Sequence, residues 1–199
     1  MDNTKTQDKQ TKLLTILELL NGVREKLYAT YNLFVANVEQ TKTIKEFIAL
    51  KYEQLLDKRN EFVQLTSSNK PAKMRVAKLR KEASVLKDEH DAQVAMVGDG
   101  MADAEACRKT YKHEVALCCD TYKKLGAIET NSEDNAEQTV PASTEKGYKQ
   151  QVKLIRRILD KIDEVKVSFK NVKADIKERV KLFNELFAQL EEQTLALSK

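Results

Sequence analysis

The residue types suited to catalysis or metal binding in this 199-residue chain are few: two histidines, three cysteines and one acidic stretch containing glycines. His90 and His113 lie 23 positions apart, and no His-x-x-x-His or Glu-x-x-His pair occurs. The helix-borne zinc and di-iron carboxylate arrangements therefore have no counterpart here. His90 falls on an apolar stripe and reads as a polar residue satisfied inside a helix seam, where it helps to set register. Cys107 and Cys118 are eleven residues apart, which on a helix is three turns and about 16 Å, too far to share a metal. Cys118 and Cys119 are neighbours whose side chains diverge on a helix. Cys107 and Cys118 read as small core residues, and Cys119 as a thiol open to oxidation. The stretch from Gly98 to Glu105 loosely resembles a calcium loop but lacks its alternating acids and terminal glutamate spacing. With no phosphate-binding glycine loop and no nucleophile elbow, the reading is of a protein with no catalytic residues, no cofactor and no metal.

The elements carrying these residues are much more sharply defined. Three apolar stripes recur, each over about fifty residues with steps mostly of three or four, close to the roughly 3.5-residue repeat that keeps a seam facing a partner helix. The first is Leu13, Ile16, Leu20, Val23, Leu27, Tyr31, Phe34, Val38, Ile44, Ile48, Tyr52, Leu55 and Phe62. The second is Val76, Leu79, Ala83, Leu86, His90, Val94, Val97, Met101, Ala104, Cys107, Tyr111, Val115, Cys118, Tyr122 and Leu125. The third is Val152, Ile155, Leu159, Ile162, Val165, Phe169, Val172, Ile176, Val180, Phe183, Phe187, Leu190 and Leu197. The fold class they imply is all-α: an elongated, antiparallel three-helix coiled-coil bundle.

The expected boundaries follow from the punctuation. Residues 1–10 carry no apolar side chain after Met1 and read as a flexible tail, followed by a single bundle over 11–199. The first helix spans about 11–65 and ends in Thr66-Ser67-Ser68-Asn69-Lys70-Pro71, with Pro71 placed for the first turn of the second helix. So short a link folds the second helix back on the first. The second helix spans about 72–125. Gly98 and Gly100 interrupt it, yet Val94, Val97, Met101 and Ala104 keep their 3–4 spacing, so one helix weakened or bent at the glycines is expected. A hairpin there, giving four helices, is the alternative. Gly126 suits a C-cap, 127–142 reads as an acidic loop, and Ser143 or Thr144 can cap a third helix over about 144–198.

Composition narrows the function classes. Charged residues make up 33% and aromatics 6%, with 5 Gly and 2 Pro, which suits neither a disordered chain nor a sheet protein. The net charge of +4, from 35 basic and 31 acidic residues, is too weak for a whole-protein nucleic-acid signature. No signal-peptide pattern and no apolar run near the roughly 20 residues that span a bilayer are present, and the cysteines form no disulfide framework. A reduced, cytoplasmic setting is expected, with peripheral membrane attachment as an option.

Charge placement is more informative than its total. The second helix opens with Lys70, Lys73, Arg75, Lys78, Arg80 and Lys81 without an acid, and the third carries Lys166, Lys170, Lys173, Lys177 and Lys181 at spacings of three and four. These cations form either a solvated flank paired with acids across the seam, or a surface for anionic headgroups, where each is worth about 1 kcal/mol. The stripe also widens at Leu14, Leu17 and Leu19, at Leu33 and Val35, and at Leu182 and Leu186. A helix with two neighbours does not need so broad a face. An antiparallel two-fold dimer would set the start of one first helix against the end of its partner's third, so an isologous homodimer is expected, with those seven residues at its interface.

Three long antiparallel helices in about 200 residues, the basic stripes, the wide apolar face and the closing run Phe183-Asn-Glu-Leu-Phe-Ala-Gln-Leu-Glu-Glu-Gln together resemble the BAR domains, over residues 11–199. That resemblance implies a crescent-shaped dimer whose basic surface binds and shapes anionic membranes. The chain departs from the pattern in its acidic, rather than basic, loop between the second and third helices, which moves the implied contact to the lysine stripe and the start of the second helix. The rival reading is a coiled-coil adaptor that docks a helical protein partner without lipid. Nucleic acid is not an expected partner, because Lys70–Lys81 contains no aromatic for stacking.

Overall fold

The computed structural model describes residues 3–67, 73–98, 101–130 and 142–197, and among these it holds four helices and no strand. They are α1 (Asn3–Thr66), α2 (Lys73–Ala95), α3 (Ala102–Thr130) and α4 (Ala142–Ala196). None of these helices is long and apolar enough to cross a membrane.

The boundaries correct the sequence reading at four places. Residues 3–10 are not a tail but the opening of α1, where Lys12 pairs with Asp8 one turn back at 2.5 Å and Thr11 bonds the Gln7 carbonyl. The second expected helix is two: α2 ends at Ala95, and Val97 and Gly98 are not helical. The end of α2 tightens into three-residue bonds, Met96 N–H to the Gln93 carbonyl and Val97 N–H to the Val94 carbonyl, and α3 opens with Glu105 N–H on the Met101 carbonyl. Glycine in a helix interior costs about 1 kcal/mol against alanine, which favours the break here. Gly126 does not end α3, which runs on to Thr130, so a lone glycine does not stop this helix. Helix α4 opens at Ala142, placing Ser143 and Thr144 inside its first turn. Pro71, Gly100 and most of the expected acidic loop lie outside the described residues.

The chain divides into two compact units, Met1–Ala36 with Met101–Lys166, and Asn37–Gly100 with Val167–Lys199. Helices α1 and α4 contribute to both. In the first unit, Ile16, Leu20, Val23, Leu27 and Phe34 of α1 cluster with Ala104 and Cys118 of α3 and with Ile155 and Ile162 of α4. Arg108 meets Asp163 at 2.5 Å and Lys166 meets Glu105 at 2.7 Å, while Tyr122 stacks on Tyr148 with centroids 3.6 Å apart. Higher numbers on α3 thus face lower numbers on α4, so the two run antiparallel. Helix α1 runs along α4, with Leu17 beside Gly147 and Arg24 donating to Gln151 at 3.0 Å.

In the second unit, Leu55 and Phe62 of α1 cluster with Val76, Leu79 and Ala83 of α2 and with Phe183, Leu186 and Leu190 of α4. A second cluster joins Ile44 and Ile48 to Val172 and Ile176, with Val94 and Val97 packed against it. Lys45–Asp175 and Lys51–Glu89, each at 2.5 Å, Lys58–Glu82 at 2.6 Å and Arg80–Glu191 at 3.8 Å fix the register, with α2 opposing both partners. Each exposed ion pair is worth at most about 1 kcal/mol, whereas each fully buried Leu, Ile or Phe contributes about 1.5–3 kcal/mol. The apolar seam holds the helices together and the charges set their register.

Thr30 and Thr41 are buried on the core face of α1 without disrupting it. Their hydroxyls donate to the carbonyls one turn back, Lys26 at 2.9 Å and Asn37 at 2.7 Å, so neither is left unsatisfied.

Candidate functional site

The ten cations singled out from the sequence fall into two states. Four are engaged with acids, Lys166 with Glu105 at 2.7 Å and Arg80 with Glu191, Lys78 with Glu82 and Lys181 with Glu185 each at 3.8 Å, and half-buried Lys173 is also partnered, its ammonium 5.4 Å from the Phe169 ring centroid. Lys73, Arg75 and Lys81 on α2 and Lys170 and Lys177 on α4 are exposed and form no ion pair among the described residues. All five belong to the second unit; Lys166 belongs to the first.

The acids near the start of α2 are already committed. Glu82 lies 2.6 Å from Lys58 and only 3.8 Å from Lys78, and Glu61 lies 3.2 Å from Lys58. The Lys58 hydrogen bond holds the Glu82 carboxyl below its ordinary value, and the same bond raises the Lys58 ammonium. Beside this network an open groove of about 600 Å³ is lined by Leu65, Arg75, Lys78 and Leu79 together with Lys58, Glu61, Gln64 and Glu82.

Sequence reading missed Met74. It lies off the stripe, between Lys73 and Arg75, and is 87% exposed, more than any other large apolar side chain among the described residues. Its signal was available, as an apolar residue flanked by cations on the polar side of an amphipathic helix.

The expected dimer residues also separate. Leu14, Leu19, Leu33 and Leu182 are exposed, and Leu17 and Val35 are half-buried. Leu186 is 6% exposed and belongs to the protomer's own core with Phe183 and Leu190, so its apolar surface is already covered. On α1, helical spacing puts Leu14, Leu17 and Val35 on one flank of the core stripe and Leu19 and Leu33 on the other. Exposed Tyr28, two heptads after Leu14, extends the first flank.

His90 lies in the seam as expected, but only half satisfied. Its ring is 0% exposed and stacks on Phe183 with centroids 3.9 Å apart and planes 6° from parallel. Nδ1 lies 3.0 Å from Asp91 Oδ1, and buried Nε2 has no hydrogen-bond partner. Burial pulls His90 below its ordinary value of 6.5, against the opposing pull of Asp91. Cys118 is buried and Cys107 and Cys119 are half-buried, all as free thiols. Burial pushes the Cys118 thiol up, and burial followed by a hydrogen bond with Cys119 pushes the Tyr148 hydroxyl up. Among the described residues no group of three His, Cys, Asp or Glu side chains gathers to hold a metal.

No family model matches the chain, and no curated protein or solved structure is significantly similar to it.

Proposed function

We propose that this chain is a non-enzymatic helical scaffold that self-associates and binds anionic membrane surfaces, as the BAR domains it resembles do. In this reading the three helix segments of each unit pack as an antiparallel coiled coil, and the flank of Leu14, Leu17, Tyr28 and Val35 meets a second copy. One observation carries the membrane part: Lys73, Arg75, Lys81, Lys170 and Lys177 stand exposed without acid partners among the described residues. Cations left unpaired in water retain their full attraction for an anionic leaflet, about 1 kcal/mol each near its surface.

The test is sedimentation with phosphatidylserine-containing and neutral vesicles at low and high salt. Lys170→Glu with Lys177→Glu should weaken sedimentation with the anionic vesicles and leave the helical content unchanged. Lys166 is a poor probe, because a glutamate there would face Glu105 inside the first unit. Unchanged binding in the double variant removes these lysines from the surface. A second reading, a coiled-coil adaptor for a helical protein partner, draws support from the pairing of Lys166, Arg80, Lys78 and Lys181 with acids. A self-associated protein that ignores both vesicle types would favour it.

A further inference from the structure

We infer that the start of α2 is a docking site for an anionic phospholipid bilayer, in which the Met74 side chain enters the interface between Lys73, Arg75, Lys78 and Lys81; this rests on the membrane-binding reading above and adds the contact that performs it. Helical spacing puts Met74, Lys78, Lys81 and Val85 on one face, opposite the buried Val76, Leu79 and Ala83. That outward face reads apolar, cation, cation, apolar, and both its apolar members are exposed, Met74 at 87% and Val85 at 49%.

The charge around Met74 is not cancelled locally. Residues 73–81 contain five cations and no acid. Lys73, Arg75 and Lys81 make no ion pair among the described residues, and Glu82, the nearest acid in sequence, is bound closely by Lys58 at 2.6 Å. A bare thioether chain ringed by cations suits an anionic bilayer better than it suits water. The headgroup region accepts the ammonium and guanidinium groups, their methylene stems extend along the apolar boundary, and an unbranched methionine adapts to irregular acyl packing. A single-stranded nucleic acid would want a stacking platform, and 73–85 contains no aromatic.

The chain contains no tryptophan, so Met74→Trp installs a single fluorescent reporter at the site. Met96→Trp, at an exposed position beyond the end of α2, gives a matched control. With vesicles of phosphatidylcholine and phosphatidylserine, Met74→Trp should shift its emission to the blue and be quenched by brominated acyl chains, while Met96→Trp stays unshifted. Lys73→Glu and Lys81→Glu should each weaken binding by at least about fivefold, as expected for the loss of one interfacial cation, with the circular dichroism spectrum unchanged. Sedimentation with the vesicles but no shift or quenching at Met74→Trp would overturn the Met74 site and leave the membrane-binding reading intact. Equal shifts at both reporters would also overturn it. No sedimentation with anionic vesicles would overturn the site and the reading together, and would direct the patch to an acidic protein.

Discussion

The imidazole of His90 is the polar group most completely withdrawn from water on the core side of α2, and its surroundings define a pH dependence. On its own helix it faces Asp91, with Lys87 close by; Phe183 covers it from α4, and the Glu89 carboxylate one residue earlier is taken by Lys51 of α1. Its folded-state pKa is lowered from 6.5, first by burial, so the unfolded chain takes up a proton before the folded chain does. Stability is therefore full above about pH 6.5 and falls as the pH drops from there toward the lower folded value. The shifted carboxylates Glu82, Asp91, Glu105 and Asp175 are all lowered from ordinary values of 4.5 or less, so they titrate below the interval between pH 5 and 7 in which His90 acts. The expected outcome is a urea midpoint that drops between pH 7 and pH 5. His90→Leu should shrink that drop while changing stability at pH 7 by less than about 1 kcal/mol, because removing the orphaned Nε2 offsets the lost ring stacking. An equal drop in the variant would assign the pH dependence elsewhere. The position of His90 in the seam is legible from its spacing to Ala83 and Val97. The orphaned Nε2 is not, because its partner set depends on which side chain, here Phe183, arrives from a helix almost a hundred residues away. Thr41 was legible only indirectly, as the missing member of the stripe between Val38 and Ile44.

At the scale of the element, α2 begins against its own dipole. Its first turn contains no acid, and Lys73 sits where a helix end carries partial positive charge. Lys73→Glu should therefore raise thermal stability, by about 0.3–1 kcal/mol, even as it weakens binding to anionic vesicles. A residue retained for stability would show the reverse, a lower melting temperature, and that result would place Lys73 in the fold rather than on a binding surface. The break between α2 and α3 marks where periodicity stops being informative. Val94 and Val97 pack on Ile44 and Ile48, and Met101 and Ala104 belong to the core of the other unit. Each segment must show its own core an apolar face, so the 3–4 spacing persists whether the helix continues or breaks. Phase cannot distinguish the two cases; Gly98 and Gly100 carried the usable signal. Along α1 no such ambiguity arose, since Leu13 to Phe62 falls within one uninterrupted helix and every stripe position is buried or half-buried. The cations were legible as a set, but which ones are neutralised was not, because Glu105 and Glu191 reach Lys166 and Arg80 from other helices.

At the scale of the whole molecule, a net charge of +4 spread over 35 basic and 31 acidic residues supplies little attraction for a membrane. In the proposed membrane-binding reading the attraction comes from the few uncompensated cations acting together, and it fades as the screening length shortens from about 10 Å at 0.1 M salt to about 3 Å at 1 M. A second copy doubles the number of these sites. Once one protomer is on the surface, the other meets it at high effective concentration, which can raise overall affinity by about 10²–10⁴ without any new contact. In the proposed reading self-association and membrane binding are then coupled, although different residues would serve them. Leu14→Gln with Val35→Gln changes neither the net charge nor any cation, and both side chains lie outside the buried set. The double variant should run as a monomer by light scattering, keep its helical content, and bind phosphatidylserine vesicles about a hundredfold or more weaker than the parent chain. A monomer that binds as tightly as the parent would show that a single copy carries the whole attraction. A variant that remains self-associated would move the interface to the opposite flank of α1, where Leu19 and Leu33 lie exposed.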